Sequence, residues 1–448
     1  MITFDILFKE LEPEIICMLI PPKNAFIMNS VSNAIYKKLK NIKLNAIIEA
    51  NNICFIDNFI NKLLSNIKYN LIEIHLVKCN LNSVDNITLV IENILKKNNK
   101  LINLNLKENN LQDDKGEKLA SLLHDNIVLR KLDLSDNFLG VKTGYAIALM
   151  LYGNATLITI NLSNNLMNDD EVCAIAHSLS FNSTLSRLNL SGNHLQDRVA
   201  CAFAEALYIN KGLTVLDLSK NYIEINGGKK IAEMLRTNTI LTILNISNSV
   251  TGFGAISIID ILHSNTTLTS LDISKNNIYE YGGKAIADML VKNTTLTFLN
   301  ISNNKIGEVI CDNISSNISA IAESLLVNTT LTSLDISKNY LNNFVGYAIS
   351  KTLLSNTTLT ALNISENNLC KHGGQAIAKT LEINTTIIAL DISRNYLCED
   401  GIRAIVDMLY INTTLTFLDL RGNYTDRSID QVINNMLSVN TTLINFNY

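Results

Sequence analysis

Three sets of residues in this chain have types and spacings that could support chemistry. The first is a run of carboxylates and amides: Asp217, Asn245, Asp272, Asn300, Asp335, Asn363 and Asp391. Paired carboxylates serve acid–base catalysis when unlike surroundings push their pKa values apart. A regular column gives every member the same surroundings, which argues against a catalytic pair. The second is Gly252-x-Gly254-x-x-Ser257, close to the glycine turn that sets a helix N-terminus against a pyrophosphate. Its third glycine is missing and no acidic residue closes a second strand, so no dinucleotide is expected. The third is a matched set of cysteines, Cys173 with Cys201 and Cys370 with Cys398, each pair 28 residues apart. There is no Cys-x-x-Cys and no histidine pair at metal spacing, so free thiols in a reducing compartment are expected. No phosphate-binding, nucleophile-elbow or zinc-protease motif occurs. The sequence thus predicts no catalytic, cofactor-binding or metal-ligating residue and a protein that is not an enzyme.

The elements that carry these residues explain their spacing. Asn-Thr-Thr-Leu-Thr-Ser-Leu-Asp-Ile-Ser-Lys-Asn stands at Asn265–Asn276 and again at Asn328–Asn339. Looser copies start at Leu71, Leu101, Leu129, Leu157, Leu185, Leu213, Leu241, Leu268, Leu296, Leu331, Leu359, Ile387, Leu415 and Leu443. Most steps are 28 residues; the first is 30, the one after Leu241 is 27 and the one after Leu296 is 35. In the copy at Leu268, Leu271 and Ile273 alternate as a short strand does, and Ile278 closes the turn. Asn276 is placed to bond the backbone of adjoining turns in a buried ladder. Gly282 and Gly283 are read as opening a helix whose inner stripe is Ala285–Ala287 with Leu290, and Asn293 as a left-handed helix cap. No such unit can bury its apolar stripe alone, so stability must come from stacking.

The core Leu-x-x-Leu-x-Leu/Ile-x-x-Asn resembles a leucine-rich repeat, and the 28-residue period resembles its ribonuclease-inhibitor-like subtype. The resemblance implies an α/β solenoid, a horseshoe with a parallel inner sheet and outer helices, over residues 44–448. Such repeats bind partner proteins, so the chain is expected to be a non-enzymatic interaction scaffold. A regulator of an enzyme or GTPase, in the manner of ribonuclease-inhibitor-like proteins, is the alternative.

Three columns per strand should face the concave side, as Ser270, Asp272 and Ser274 do in one unit. The alternation of Asp and Asn in the middle column separates like charges on adjacent strands. Asp419 breaks it beside Asp391, with Arg421 in register to compensate. Partner contacts are expected at the larger residues of the first column, Val215, Ile243, Phe298 and Phe417. Aromatics after the ladder asparagine, Phe138, Tyr222, Tyr340, Tyr396 and Tyr424, are a second set. Open-edge aromatics are the usual energetic anchors of interfaces, but rings can equally lie over their own backbone as filler, and both readings stand. The repeat also breaks at Ser249, which replaces a ladder asparagine, within Glu308–Asn317, which gains seven residues, and at the strand edge before Tyr448.

Residues 1–43 do not fit the repeat and read as a short helical cap. Leu11-x-Pro13-Glu14-Ile15, then Pro21-Pro22-Lys23-Asn24, then Val31-Ser32 resemble an F-box. Glu12 stands in place of its first proline, Ile35 in place of its usual tryptophan, and the first helix is shortened. The resemblance implies docking on a Skp-type adaptor of a cullin ubiquitin ligase through Leu11, Pro13, Glu14, Ile15, Pro21, Pro22 and Val31. A plain cap over the first strand edge is the other reading.

Bulk properties agree with a protein partner. Net charge is −4 over 448 residues, without the basic face that nucleic acid requires. No apolar run is long enough for a membrane span, and Asp5 stands where a signal peptide carries positive charge. Sequons at Asn161, Asn189, Asn245, Asn300 and Asn363 fall inside the expected strands, where glycans would crowd the sheet. A cytoplasmic location is expected.

Overall fold

A computed structural model describes residues 46–51, 71–83, 87–308, 315–423 and 428–448. The F-box-like residues Leu11 to Val31, Tyr424 and positions 309–314 of the long repeat lie outside the described residues. Two compact units divide between Asp217 and Leu218.

Each unit repeats one event. In the first, parallel strands follow chain order from Ala46–Asn51 and Leu71–Val77 to Val215–Asp217. Helices such as Gln112–Leu123 and Asp197–Ile209 lie between them. In the second, the helix Ile225–Leu235 comes first, then strands run from Ile243–Asn245 to Asn445–Asn447 with helices from Gly252–Ile261 to Ser428–Leu437 between them. Parallel neighbours require a crossover, and the helix of each repeat supplies it. Register holds position for position: Ile243, Ser270, Phe298 and Ser333 pair in one row and Asn245, Asp272, Asn300 and Asp335 in another. The fold is the α/β leucine-rich-repeat solenoid that the spacing predicts. Its core is the predicted one, with Leu268, Leu271, Ile273 and Ile278 all at most 1% exposed. Each such side chain contributes about 1.5–3 kcal/mol on burial.

Two asparagine ladders tie successive coils. The predicted one runs through the turns that leave the strands. Asn339 Nδ2 donates to Ile301 O of the preceding coil at 2.9 Å, and its Oδ1 accepts from Asn304 N–H at 2.9 Å and Ile306 N–H at 3.3 Å. Asn137 and Asn276 make the same pattern. Gathering two N–H groups onto one oxygen twists the residues beside each ladder asparagine, and Phe138, Tyr340 and Tyr396 accordingly adopt φ of +55 to +58°.

The second ladder corrects the reading of Asn293, which has φ −73° and ψ 130° and is no left-handed cap. The chain passes straight from helix to extended backbone there. Asn293 Nδ2 instead donates to Leu262 O, at the helix end of the coil before, at 2.7 Å. Its Oδ1 takes Thr295 N–H at 3.0 Å and Leu296 N–H at 2.7 Å. Asn154, Asn356, Asn384 and Asn412 act alike. The asparagine of every Asn-Thr-Thr therefore satisfies an orphan helix carbonyl one coil away.

Two smaller expectations also change. The helix Tyr279–Lys292 starts before Gly282 and Gly283; both are buried in its first turns, and a Cβ on Gly282 would collide with Ile278 Cγ2. Ser274 is not a concave-face residue: it is 5% exposed. Asp272 Oδ1 accepts its N–H at 3.0 Å, which draws the chain into the turn at that point.

Candidate functional site

The strand face is chemically closed. Asp272 and Asp335 each spend one carboxylate oxygen on the N–H two residues ahead, at 3.0 and 2.9 Å. The other oxygen accepts the amide of the next strand, from Asn300 at 3.0 Å and Asn363 at 2.9 Å. The alternating column is thus a hydrogen-bonded strut. Burial raises the Asp335 carboxyl above its ordinary range. Burial also pushes Asp419 upward, but Arg421 Nε at 3.0–3.1 Å from both oxygens outweighs it and holds that carboxyl below its ordinary range. Arg421 compensates the break as predicted.

The first-column residues are not brought together. Phe298 is 36% exposed and stands between Ser270 and Ser333, and Phe417 stands half-buried between Ala389 and Asn445. Val215 and Ile243 are half-buried. The turn-edge rings Phe138, Tyr340 and Tyr396 are 49–55% exposed, one per turn. Tyr222, 60% exposed, is the one of these that lines a cavity.

That cavity, about 620 Å³, lies in the second unit where three successive turns leave their strands: Lys220–Ile225, Asn248–Phe253 and Lys275–Tyr279, with Tyr281. It sits outside the carboxyl ends of parallel strands, the general place for ligands in open α/β sheets. Its edge carries Tyr222, Phe253 and Tyr281, each 58–63% exposed. Its buried lining includes Ile223, Ser249, Val250 and Ile278. Lys305 Nζ stands 5.2 Å from the ring centre of Tyr279, one of the cavity's lining residues.

The cavity coincides with the break in the ladder. Ser249 and Val250 still donate their N–H groups to Asn276 Oδ1, both at 2.9 Å. The serine side chain is too short to reach back as an asparagine does. Its hydroxyl, on a residue 6% exposed, has no hydrogen-bond partner. Thr330 Oγ1 and Asn395 Oδ1 are likewise buried and unpartnered, but neither residue lines this cavity. Backbone contacts still join the coils here: Ile223 and Val250 bridge, and Thr251 N–H donates to Ile223 O at 3.2 Å. Gly252 and Gly254 permit this approach, since a Cβ would meet Asn277 O at 2.6 Å and Val250 Cγ1 at 2.8 Å. The glycines that imitate a nucleotide turn are packing glycines.

Sequence reasoning identified Tyr222, the short repeat and Ser249, but missed Phe253, Tyr279, Tyr281, Lys220 and Lys275. Their signal was present: Phe253 is the residue between the two glycines. The described cysteines carry no disulfide; Cys370 and Cys398 are exposed and Cys173 and Cys201 are half-buried.

A family profile described as "Leucine Rich repeat" matches residues 181–198, 264–287, 292–315, 327–343 and 355–378. Over those five stretches the chain carries leucine-rich repeats. No curated protein matches the sequence. Among solved structures it is similar to an internalin (inlF) from Listeria monocytogenes, at 19% identity and TM-score 0.48 over 93% of this chain and 94% of that one. Leiomodin-1 actin-binding site 2 is similar at 22% identity and TM-score 0.30, over 34% of this repeat protein and 86% of the leiomodin chain. Among the described residues, no helix is long and apolar enough to cross a membrane.

Proposed function

We propose that this repeat protein is a non-enzymatic interaction protein that holds a partner protein at the turns of its second unit, centred on Tyr222, Phe253 and Tyr281. The observation that carries the reading is the convergence of these three exposed rings on one cavity. Aromatics anchor interfaces because they bury large area at small entropic cost. Leucine-rich repeats generally serve such binding. The fold presents the rings from three coils that the core holds rigid.

The test compares proteins captured by the full chain and by a Tyr222→Ala/Phe253→Ala/Tyr281→Ala variant. Ile383→Ser/Ile411→Ser, altering residues 67% and 58% exposed at helix ends, serves as control. Partners lost by the cavity variant alone support the reading. An unchanged set of partners, or losses only in the control, contradicts it.

Two finer parts of the proposal rest on the sequence. An F-box-type receptor role draws on Leu11, Pro13, Glu14, Ile15, Pro21, Pro22 and Val31. It requires that a Skp-type adaptor bind the full chain and not a chain starting near Asn41. An intracellular location draws support from the strand sequons. Asn300, for one, uses its amide on Asp272 and its oxygen on Ser302 N–H at 3.0 Å, within the sheet, where a glycan would crowd the neighbouring strands. Extracts of its native cells showing glycosylated Asn300 would overturn that location.

A further inference from the structure

The cavity is electropositive as well as aromatic. Three helices begin at it: Ile225–Leu235, Gly252–Ile261 and Tyr279–Lys292. Glu224 is the N-cap residue of the first and Glu280 lies in the first turn of the third, while the helix Gly252–Ile261 has neither a side-chain cap bond nor an acidic residue in its first turn. The helix start at Gly252 carries roughly half a positive charge from its first N–H groups. Lys220 and Lys275 line the same space, exposed and in no ion pair among the described residues, against the single carboxylate of Glu224. At the same repeat position Lys338 is neutralised by Glu366 at 3.1 Å. The unpartnered Ser249 hydroxyl adds one buried polar group that an occupant can satisfy. Burying that hydroxyl unmade is unfavourable in the empty protein, and it is favourable to complete the bond.

We infer that the cavity takes an acidic peptide segment of the partner bearing an aromatic or aliphatic side chain, which enters among Tyr222, Phe253 and Tyr281 while flanking carboxylates face Lys220, Lys275 and the helix start at Gly252. This inference rests on the interaction reading above and adds the partner's chemistry. A volume of about 620 Å³ accommodates one large side chain with its neighbouring backbone. A basic segment would instead meet two lysines and the helix start at Gly252, all of its own sign, against the one lining carboxylate.

The experiment is selection of a random twelve-residue phage-displayed peptide library on the full chain, in parallel with a Lys220→Glu/Lys275→Glu variant. Both lysines are exposed, and thermal melts confirm that the variant is folded. The expected result is enrichment of Asp and Glu around Phe, Trp or Leu. Synthetic copies of those peptides should bind the wild type at least about tenfold more tightly than the variant by fluorescence anisotropy, and more weakly as salt rises. Phe253→Ala should weaken the same peptides about tenfold. Basic or unbiased peptides, acidic peptides indifferent to the charge reversal, or no enrichment would each overturn the inference. If captured partners still depend on Tyr222, Phe253 and Tyr281 while the library shows no acidic bias, the interaction reading survives and this chemistry does not.

Discussion

The turn at Asn339 and the turn at Ser249 occupy the same place in the repeat and are built in opposite ways. At Asn339 one side chain satisfies two N–H groups and one carbonyl of the coil before it. Nothing polar is left for a ligand. At Ser249 the side chain bonds nothing, and a cavity opens with three exposed rings around it. Closing the ladder yields stability, and interrupting it yields a place to bind. Natural proteins commonly retain such local losses where function needs them.

Breaking the closed turn should have the largest effect. Asn339→Ser leaves the N–H groups of Asn304 and Ile306 and the Ile301 carbonyl without that partner in a buried turn, at roughly 1–3 kcal/mol each where no water replaces it. Chemical denaturation should show a loss on the order of 3 kcal/mol. Asn293→Ala strips the helix-end bond to Leu262 and the two N–H bonds ahead of the strand. A loss of about 2 kcal/mol is expected, with faster hydrogen exchange at Thr295 and Leu296.

The break at Asp419 sharpens the comparison from a third side, because it is compensated instead of left open. Arg421 holds this carboxyl below its ordinary range. A depressed acid contributes stability above its unfolded value of about 3.9, lost as pH falls through the folded value. Arg421→Ala should therefore lower the melting temperature at pH 7, and its difference from wild type should shrink as pH drops below about 4. A difference that persists unchanged at pH 3 would mean that the arginine acts by packing.

The scaffold was legible because it repeats. Leu268, Leu271, Ile273 and Asn276 recur with fixed spacing, and spacing determines which side chains share a face. Asn293 was misread because an asparagine after a helix has two uses, a left-handed cap or a side-chain bridge. Only the neighbouring coil's carbonyl decides between them. Phe253 and Tyr281 were missed for a related reason. They sit in the first turns of helices, where the repeat puts no constraint on residue type, and they meet Tyr222 only after three coils stack. The breaks were legible as breaks, and what they assemble was not.

The most direct measurement joins stability and binding in one substitution. Ser249→Asn gives the open turn the amide that Asn339 supplies elsewhere. The account predicts a gain of about 1 kcal/mol in denaturation, together with weaker capture of the partners that depend on Tyr222, Phe253 and Tyr281. A variant that is more stable yet binds those partners unchanged would contradict the claim that the interrupted ladder makes the binding site.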